Sequence, residues 1–349
     1  MAYYGGIEGG TTGSRMVILR ADGKQVGKSE GPHTNYWHLG MSEAARRIVL
    51  LVKDALQNAD LPVDTPLKSL GLALSGINTE LNSMQMIEAV RRINPNVAER
   101  IHACNDAVGT LVTATDENAI VLIAGTGSIC KLIRKDLSFV RIGGLGYLLG
   151  DEGSAFWIAH QAIMSYIKIT EGLYHAQYGI QRLTEAIYKH FGIKHYHELL
   201  SHFNENIDKT FIAQLCKYLA EAARDGDPFC KQLFTDAGVH LGRHVSAAVK
   251  HADKEGLMAP EGIEVVCCGS VFKSWDLLAT GFRSGLKPQH CGDCQQGRIN
   301  LRLLHITAAV GAAILAAKLE CGISIPRPDQ VTDFLCEISL TGHDSQRDL

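Results

Sequence analysis

Short apolar runs separated by glycine-rich turns open the sequence. Runs at 3–7 and 16–19 flank the segment 9–14, and a third strand-like run at 24–29 follows an Asp-Gly turn signal. Apolar positions then recur at helical spacing up to Leu56, which predicts a helix with Ser42 as its N-cap. The chain is therefore expected to begin with paired strands followed by an amphipathic helix.

Strands and helices alternate along the rest of the chain. A continuous apolar run at 70–74 predicts a buried strand, and a helix at 80–93 leads to a strand at 101–104. The pattern restarts at Ala119 with two more strand-like runs. Long helical periodicities then cover 154–170, 181–191, 209–225 and 228–252, and a strand at 264–268 precedes a helix from Ser274. This alternation favours an α/β fold with two domains.

Two turns rich in glycine and threonine stand between predicted strands. The first is Gly9-Gly10-Thr11-Thr12-Gly13-Ser14, and the second is Gly125-Thr126-Gly127-Ser128. Turns without bulky side chains let backbone N–H groups approach an anion, and the hydroxyls add short donors. Two such turns, each opening one half of the chain, predict a duplicated domain that binds one polyphosphate from both sides, as ATP requires.

The composition of the chain limits the binding partners that are expected. The chain has 349 residues, and its 34 basic and 37 acidic residues give a net charge of −3 without any basic stripe. Neither nucleic acid nor an anionic membrane is therefore an expected partner. The N-terminus lacks the pattern of a signal peptide, and ten cysteines without a secretory signal predict reduced thiols in a cytoplasmic protein.

Two carboxylates stand at the ends of predicted strands. Glu8 adjoins the first turn, where a carboxylate beside phosphate indicates an intervening Mg²⁺, held directly or through water; the alternative is a solvated turn acid. Asp106 stands where a strand gives way to a helix, so it could accept a proton from a substrate hydroxyl that attacks phosphorus. The alternative for Asp106 is an ordinary helix N-cap, and the sequence does not decide between the two.

A glycine-rich segment precedes the helix at 154–170. Asp151 could hydrogen-bond a sugar hydroxyl there, while Glu152 and Ser154 could simply cap the helix. The glycines just before it, of which Gly144 is one, allow the backbone to approach a ligand closely. These features favour a binding loop over a plain turn.

Three motif-like patterns are interpreted as incidental. The run 23–29 resembles a P-loop but is one residue short between its glycines, and the glycines at 144 and 146 do not complete a dinucleotide fingerprint. Cys291 and Cys294 form a C-x-x-C pair, with Cys267 and Cys268 upstream. A structural zinc site needs a second properly spaced pair, and the adjacent cysteines are typical of a buried strand.

Longer motifs carry a resemblance to a known family. The chain resembles the sugar kinase/Hsp70/actin superfamily, and within it the eukaryotic N-acetylglucosamine kinases of the BadF/BadG-type ATPase group. The resemblance runs from Gly5 to about Leu319. Its most specific stretches are Thr34-Asn35-Tyr36-Trp37, Leu74-Ser75-Gly76, Gly150-Asp151-Glu152-Gly153-Ser154-Ala155-Phe156-Trp157 and Gly269-Ser270-Val271-Phe272-Lys273-Ser274-Trp275.

The resemblance implies a fold, an activity and a set of site residues. It implies two RNase H-like (actin-like ATPase) domains with an active-site cleft between them, the smaller from 1–116 with 326–349 and the larger from 117–325. The implied activity is transfer of phosphate from ATP to the 6-hydroxyl of N-acetyl-D-glucosamine, in a homodimer. Matching positions imply that ATP is bound by Thr12, Thr126, Ala213, Gly269 and Ser270, and the sugar by Asn35, Asp106, Gly144, Leu145 and Asp151, with Asp106 as the catalytic base.

Two residues depart from the family pattern. Thr11 stands where the family usually has a third glycine, and a β-branched residue tolerates a positive φ badly, so a reshaped turn is expected. Leu145 stands where the family tends to have tryptophan, which is expected to weaken sugar affinity or to alter the preferred N-acyl sugar.

Three rival functions stay open. One is a kinase for a related substrate, either N-acetylmannosamine or an N-acetylmuramyl peptide. Another is an ATPase activator that uses an iron–sulfur cluster between subunits, for which Cys291 and Cys294 would supply thiolates. The third is a sugar sensor without catalytic activity, which the joint presence of Glu8, Thr12 and Asp106 argues against.

Overall fold

A computed structural model describes residues 1–204, 207–286 and 297–340. The chain forms two compact units. The first comprises Met1–Val121, Ile133–Ser138 and Arg302–Leu335, and the second comprises Leu122–Leu132, Phe139–Leu301 and the chain from Cys336 onward. The domain limits expected from the sequence, after residues 116 and 325, stay a prediction.

The described residues form strands and helices in the alternating order that the sequence predicts. The strands are β1 Tyr3–Gly9, β2 Gly13–Arg20, β3 Gln25–Pro32, β4 Leu67–Leu74, β5 Ala98–Asn105, β6 Ala119–Ala124, β7 Ser128–Ile133, β8 Phe139–Ile142, β9 Ile263–Cys268, β10 Arg298–Leu304 and β11 Thr332–Ser339. The α-helices are α1 Tyr36–Leu39, α2 Met41–Gln57, α3 Glu80–Ile93, α4 Asp106–Ala114, α5 Ala155–Thr170, α6 Gln181–Phe191, α7 Leu199–Asn204, α8 Lys209–Arg224, α9 Pro228–Lys254, α10 Trp275–Leu286 and α11 Ala309–Cys321. Short 3₁₀ turns cover Tyr196–Glu198 and Ser270–Ser274.

The first sheet has the strand order β3-β2-β1-β4-β5. β1 pairs antiparallel with β2 and parallel with β4, which pairs parallel with β5. In the register of these pairs, Gly9 lies opposite both Ser14 and Leu74, and Leu74 lies opposite Asn105. The first turn, the loop after β4 and the start of α4 therefore all emerge at one edge of the sheet.

Helix α2 buries the apolar stripe that its sequence predicts. Ile48, Val52 and Leu56 are fully buried in the core of the first unit, against strands β2 and β3 and helix α3. The prediction of its start is wrong: the N-cap is Gly40, which makes no side-chain capping bond, and Ser42 lies within the helix. The polar cap signal at Ser42 is outweighed because α1 ends at Leu39, immediately before the start of α2.

Helix α11 packs directly against the backbone of the first sheet. A Cβ atom on Gly6 would stand 1.9 Å from the carbonyl oxygen of Ala309, and one on Gly71 would stand 1.9 Å from that of Ala312. Side chains at these sheet positions would force the helix away, since no real Cβ contact is that short. The N-terminus of α11 is thereby held near the end of β1.

The second sheet has the order β11-β10-β9-β6-β7-β8. The helices that follow β8 are mostly those that periodicity predicts: α5 covers 155–170 with Ser154 as its side-chain N-cap, and α6 covers the predicted 181–191. The longest helix, α9, packs along α10 with glycines at the contact, and Gly238 faces the carbonyl of Leu278. None of the described helices is long and apolar enough to cross a membrane.

Candidate active site

The first turn is a tight hairpin fixed by its neighbours. The amide of Gly10 donates to the carbonyl of Gly13 at 3.0 Å, which leaves Thr11 and Thr12 at the tip. Below the tip, the hydroxyls of Ser14 and Thr34 lie 2.9 Å apart and are buried. Thr34 also fills the space beside Gly9, where a Cβ atom would stand 2.1 Å from its hydroxyl oxygen. The turn that is predicted to bind phosphate is thus tied to the segment that carries Asn35.

Thr11 fits this turn without backbone strain. In the described residues, the non-glycine residues with positive φ are Asp60, Leu137, Asp151 and Gln330. Because Thr11 is not among them, the conformation it adopts is one that a β-branched residue tolerates. Thr11 therefore brings no strain of this kind, and the expectation that the turn is reshaped relative to the family stays a prediction.

Asn35 and its neighbours form a second group at the same sheet edge. The buried side chain of Asn35 caps α1 by accepting a hydrogen bond from the amide of Trp37 at 3.0 Å. The hydroxyl of Tyr36 donates to the carbonyl of Gly76 at 2.9 Å, and the indole of Trp37 packs on the same glycine. Asn35 is thereby connected to the loop that follows β4.

Asp106 is the first residue of α4, directly after β5. The N-cap position belongs to Asn105, whose side-chain oxygen accepts from the amide of Ala107 at 3.1 Å. The Asp106 carboxylate accepts from the same amide at 2.9 Å, and Asn105 also donates to the carbonyl of Ile77 at 3.1 Å. The half-buried Asp106 is thus fixed at the sheet edge with its backbone inside the helix. The simple N-cap interpretation of Asp106 is wrong.

Glu8 is held by the start of α11. Its Oε2 atom accepts hydrogen bonds from the hydroxyl of Thr307 and, at 3.2 Å, from the amide of Ala308. A carboxylate at this point also complements the positive end of the helix dipole. Glu8 is half-buried and bonded, so the alternative of a freely solvated turn acid is wrong.

The second turn is tighter than the first and supports α5. The amide of Gly125 donates to the carbonyl of Gly127 at 2.9 Å, with only Thr126 between them. The carbonyl of Gly125 accepts from the amide of Ala155 at 2.9 Å, and that of Thr126 from the amide of Phe156 at 3.3 Å. Two amides that a helix start leaves without intrahelical partners are thereby satisfied by the turn.

Asp151 lies against the second turn in an unusual conformation. Its φ is +60°, and it is only 5% exposed. A Cβ atom on Gly127 would stand 2.7 Å from the Asp151 Oδ2 atom, so the carboxylate packs on that glycine. Lys209, the first residue of α8, places its Nζ atom 3.7 Å from Oδ2. Burial raises the pKa of the Asp151 carboxyl, and the charge of Lys209 opposes that rise.

The loop before Asp151 has glycines with positive φ and exposed leucines. Gly144 has φ +67° and packs on Ile129, while Gly143 packs on the imidazole of His244. Leu145 is 60% exposed, and its sugar-binding role stays a prediction. Ser154 caps α5 by accepting from the amide of Trp157 at 3.1 Å, which confirms the capping role considered from the sequence.

Gly269 and Ser270 follow β9 beside the second turn. Gly269 has φ +109°, and a Cβ atom there would stand 2.3 Å from the carbonyl oxygen of Ala124. Ser270 is exposed at the start of a 3₁₀ turn. Ala213, in contrast, is 5% exposed on the buried face of α8. Of the residues predicted to bind ATP, Gly269 therefore lies next to the turn of Thr126. Ala213 lies on the face of α8 that packs into the core.

The structure groups the predicted residues by unit. Glu8, Thr12, Asn35 and Asp106 share one edge of the first sheet. In the second unit, Asp151 and Gly269 both pack against the segment 124–127. Sequence reasoning missed Thr307, Asn105 and Lys209, whose partners lie in other elements. Asn105 alone carried a signal, as a polar residue before a helix.

Of the two cysteine pairs noted in the sequence, the structure describes only the adjacent pair on β9. Cys267 is fully buried on β9, which confirms the buried-strand interpretation, and burial raises the pKa of its thiol well above the usual value. Cys291 and Cys294 lie outside the described residues.

Comparison with known proteins agrees with this architecture. The profile of the BadF/BadG/BcrA/BcrD ATPase family matches residues 6–316. The chain is 24% identical to an N-acetyl-D-glucosamine kinase of Dictyostelium discoideum over 326 residues, which cover 89% of this chain and 96% of the relative. It is 29% identical to a glucosamine kinase of Vibrio cholerae over 242 residues, which cover 68% and 72% of the two chains.

A solved structure of a candidate N-acetylglucosamine kinase from Chromobacterium violaceum is similar to this fold. The TM-score is 0.69 at 25% identity, with 90% of this chain and 99% of that chain covered. The predicted α/β, actin-like ATPase fold class is thereby confirmed. With the family profile spanning almost the whole chain, the protein belongs to the BadF/BadG/BcrA/BcrD ATPase family, whose members use ATP.

Proposed function

We propose that this protein transfers the γ-phosphate of ATP to the 6-hydroxyl of N-acetyl-D-glucosamine, in the salvage of amino sugars. The observation that carries the proposal is the position of Asp106 at the carboxyl end of β5, on the sheet edge that also presents the first turn and Asn35. The relatives named as kinases of N-acetylglucosamine and glucosamine support the same reaction class.

Phosphoryl transfer asks a protein mainly for alignment and charge stabilisation. In this proposal Thr12 and Thr126 present their turns to the phosphates, and Gly269 and Ser270 border the adenosine. Ala213 stays a proposed ATP contact on the family resemblance alone, because its side chain is buried on α8. Asp106 hydrogen-bonds the attacking hydroxyl and accepts its proton, which is typically worth about 10²–10⁴-fold in rate.

The sugar is proposed to bind through Asn35, Asp106, Gly144, Leu145 and Asp151. Leu145 offers an apolar side chain where the family tends to have an aromatic one, so it contacts the sugar without stacking on it. The glucosamine kinase relative makes the free amino sugar a second candidate substrate. Discrimination between the two depends on what meets the substituent at C2.

Mg²⁺ is the proposed metal, and the residues at the first sheet edge fit it. Both described bonds to Glu8 go to Oε2, so Oε1 is the atom proposed to bind a hard cation or its waters. Within the described residues, no group of three or more His, Cys, Asp and Glu side chains converges on one point. This agrees with an ion held by one carboxylate together with phosphate oxygens and water. When bound, it would neutralise charge on the phosphates.

A substrate panel tests the proposal. Purified protein is incubated with Mg·ATP and each of N-acetylglucosamine, glucosamine, N-acetylmannosamine and an N-acetylmuramyl peptide, and the phosphorylated position is determined by NMR. We expect the highest kcat/KM with N-acetylglucosamine and phosphate on O6. Equal ATP turnover with and without sugar, or phosphate at another position, would refute the proposal.

The rivals outside sugar phosphorylation have simple tests. An iron–sulfur ATPase activator would contain iron and absorb visible light after anaerobic purification, whereas we expect a colourless, iron-free protein. A sugar sensor would bind sugar without turning over ATP in its presence.

We also propose that the protein is a homodimer in a reducing compartment such as the cytoplasm. The dimer is supported by the family resemblance, and light scattering coupled to size exclusion would measure it. The compartment is supported by the cysteines, because the eight that the structure describes are reduced and not joined in disulfides.

A further inference from the structure

We propose that Lys209 is a positioning residue: its ammonium group holds the Asp151 carboxylate in the orientation and charge state that sugar binding requires. The inference rests on the proposed function, since it assigns a role to the partner of a proposed sugar ligand. Lys209 belongs to none of the motifs that carry the family resemblance.

The backbone of Asp151 leaves its carboxylate little freedom. A non-glycine residue at φ +60° is uncommon and persists only where its surroundings fix it. Gly127 gives the carboxylate its space, because any side chain there would collide with Oδ2. The amides of Ser128 and Gly146 lower the pKa of this carboxyl through hydrogen bonds, so they too favour its charged form.

Lys209 is equally constrained. Asp208 caps α8 by accepting from the amides of Thr210 and Phe211, both at 2.9 Å, which fixes the helix start where Lys209 stands. The Nζ atom lies 4.9 Å from the centre of the Tyr147 ring, in a cation–π contact within the same loop as Asp151. The ammonium is thus directed at Asp151 by a helix start and an aromatic face.

Burial separates this ion pair from the surface pairs of the protein. The Lys209 and Asp151 side chains are 17% and 7% exposed, whereas those of Lys68 and Glu99 are 44% and 54% exposed. An exposed pair contributes little, but removing one partner of a buried pair leaves an uncompensated charge. Removing the charge of Lys209 is therefore expected to affect sugar binding, whereas removing the charge of Lys68 is expected to have little effect.

The charge state of Asp151 follows from its surroundings. Lys209 is the charged side chain that acts on Asp151, and Tyr147 faces the ammonium of that lysine. The carboxylate of the next residue, Glu152, lies 3.8 Å from the imidazole of His244. Burial already raises the pKa of Asp151, so removing Lys209 raises that pKa further. Asp151 is charged only above its pKa. Without Lys209, the charged form that binds the sugar is therefore lost at a higher pH than in the wild type.

The test measures the KM for N-acetylglucosamine and its pH dependence in Lys209→Met, Lys209→Arg and the matched surface control Lys68→Met. We expect Lys209→Met to raise the sugar KM roughly tenfold or more, with the KM for ATP nearly unchanged. The acid limb of kcat/KM for the sugar should shift to higher pH in Lys209→Met. Lys209→Arg should restore most of the affinity and the original limb, and Lys68→Met should match the wild type.

Several outcomes would overturn the inference. An unchanged sugar KM in Lys209→Met would do so. A uniform loss of activity with a lower melting temperature, no shift of the acid limb and no rescue by arginine would show a merely structural role. If Lys209→Met does not fold, Lys209→Gln carries the same expectation. A wild-type protein that phosphorylates no amino sugar would instead refute the proposed function, and this inference with it.

Discussion

Glu8 accepts a hydrogen bond from the hydroxyl of Thr307, a residue that follows it by 299 positions in the chain. One side chain thereby joins the end of β1 to the first residues before α11. The carboxylate has two separable roles here: it accepts bonds that stabilise a helix start, and it carries the negative charge proposed to face Mg²⁺.

Glu8→Gln separates these roles. Glutamine keeps an acceptor oxygen for Thr307 and Ala308 but loses the charge, so the fold should survive while the cation site weakens. We expect kcat/KM for Mg·ATP to fall by about tenfold or more, with a higher Mg²⁺ requirement. Thr307→Val is the counterpart, because it removes the hydroxyl that donates to Glu8 and accepts from the amide of Ala309. It should lower the free energy of unfolding by about 1 kcal/mol. A normal Mg²⁺ titration of Glu8→Gln would remove Glu8 from the metal site.

Asp106→Asn tests the proposed base. Asparagine can still hydrogen-bond the sugar hydroxyl but cannot accept its proton, so kcat should fall by about 10²–10⁴-fold while sugar binding is largely kept. Steady-state kinetics and sugar titration by calorimetry measure the two quantities. Asp116→Asn is the control, because Asp116 pairs with Arg327 just beyond the opposite end of α4. A near-normal kcat in Asp106→Asn would exclude the role.

Gly269→Ala tests the contact between the loop after β9 and the second turn. Alanine would be strained at φ +109° and ψ 161°, and its Cβ atom would overlap the carbonyl of Ala124. We expect a loss of about 1–3 kcal/mol of unfolding free energy and weaker ATP binding. Gly256→Ala is the control, since Gly256 has φ +68° but no atom within 4 Å of its Cβ position. Equal melting temperatures for the two variants would contradict the predicted overlap.

Thr11→Gly restores the residue that the family usually has in the first turn. Because Thr11 has no positive φ, glycine relieves no strain, and kcat/KM for ATP should stay within about twofold of the wild type. Glycine also gives the unfolded chain more freedom, so the melting temperature should fall slightly, by the equivalent of about 0.4–1 kcal/mol. A large gain in ATP affinity would show that threonine does distort the turn.

Much of the fold could be predicted because local patterns agree with the tertiary structure. The apolar stripe of α2 is buried, and α6 has the predicted limits. Ser154 is the cap of α5, since its hydroxyl directly precedes the helix and accepts from a free amide of the first turn. Ser42 misled the prediction because Gly40, not a hydroxyl, marks the turn from α1 into α2.

The positions of the candidate site residues were predictable where these follow strands and unpredictable where they depend on distant contacts. Asp106 and the glycine turns could be identified because strand ends gather at one edge of a sheet. Thr307 and Lys209 could not, because nothing local distinguishes a helix-start threonine or lysine that meets a remote carboxylate from one that faces water. Such pairs depend on the packing of whole elements, as at α11 on the first sheet.

The close packing of α11 on the first sheet has a consequence for the order in which this protein folds. The helix covers β1 and β4 at backbone distance, yet it is synthesised after them and after strands β5 to β10. Until Cys321 is synthesised, one apolar face of the N-terminal strands stays open to water or to chaperones. Completion of the first unit is therefore a late step, although its strands β1 to β5 are made long before α11.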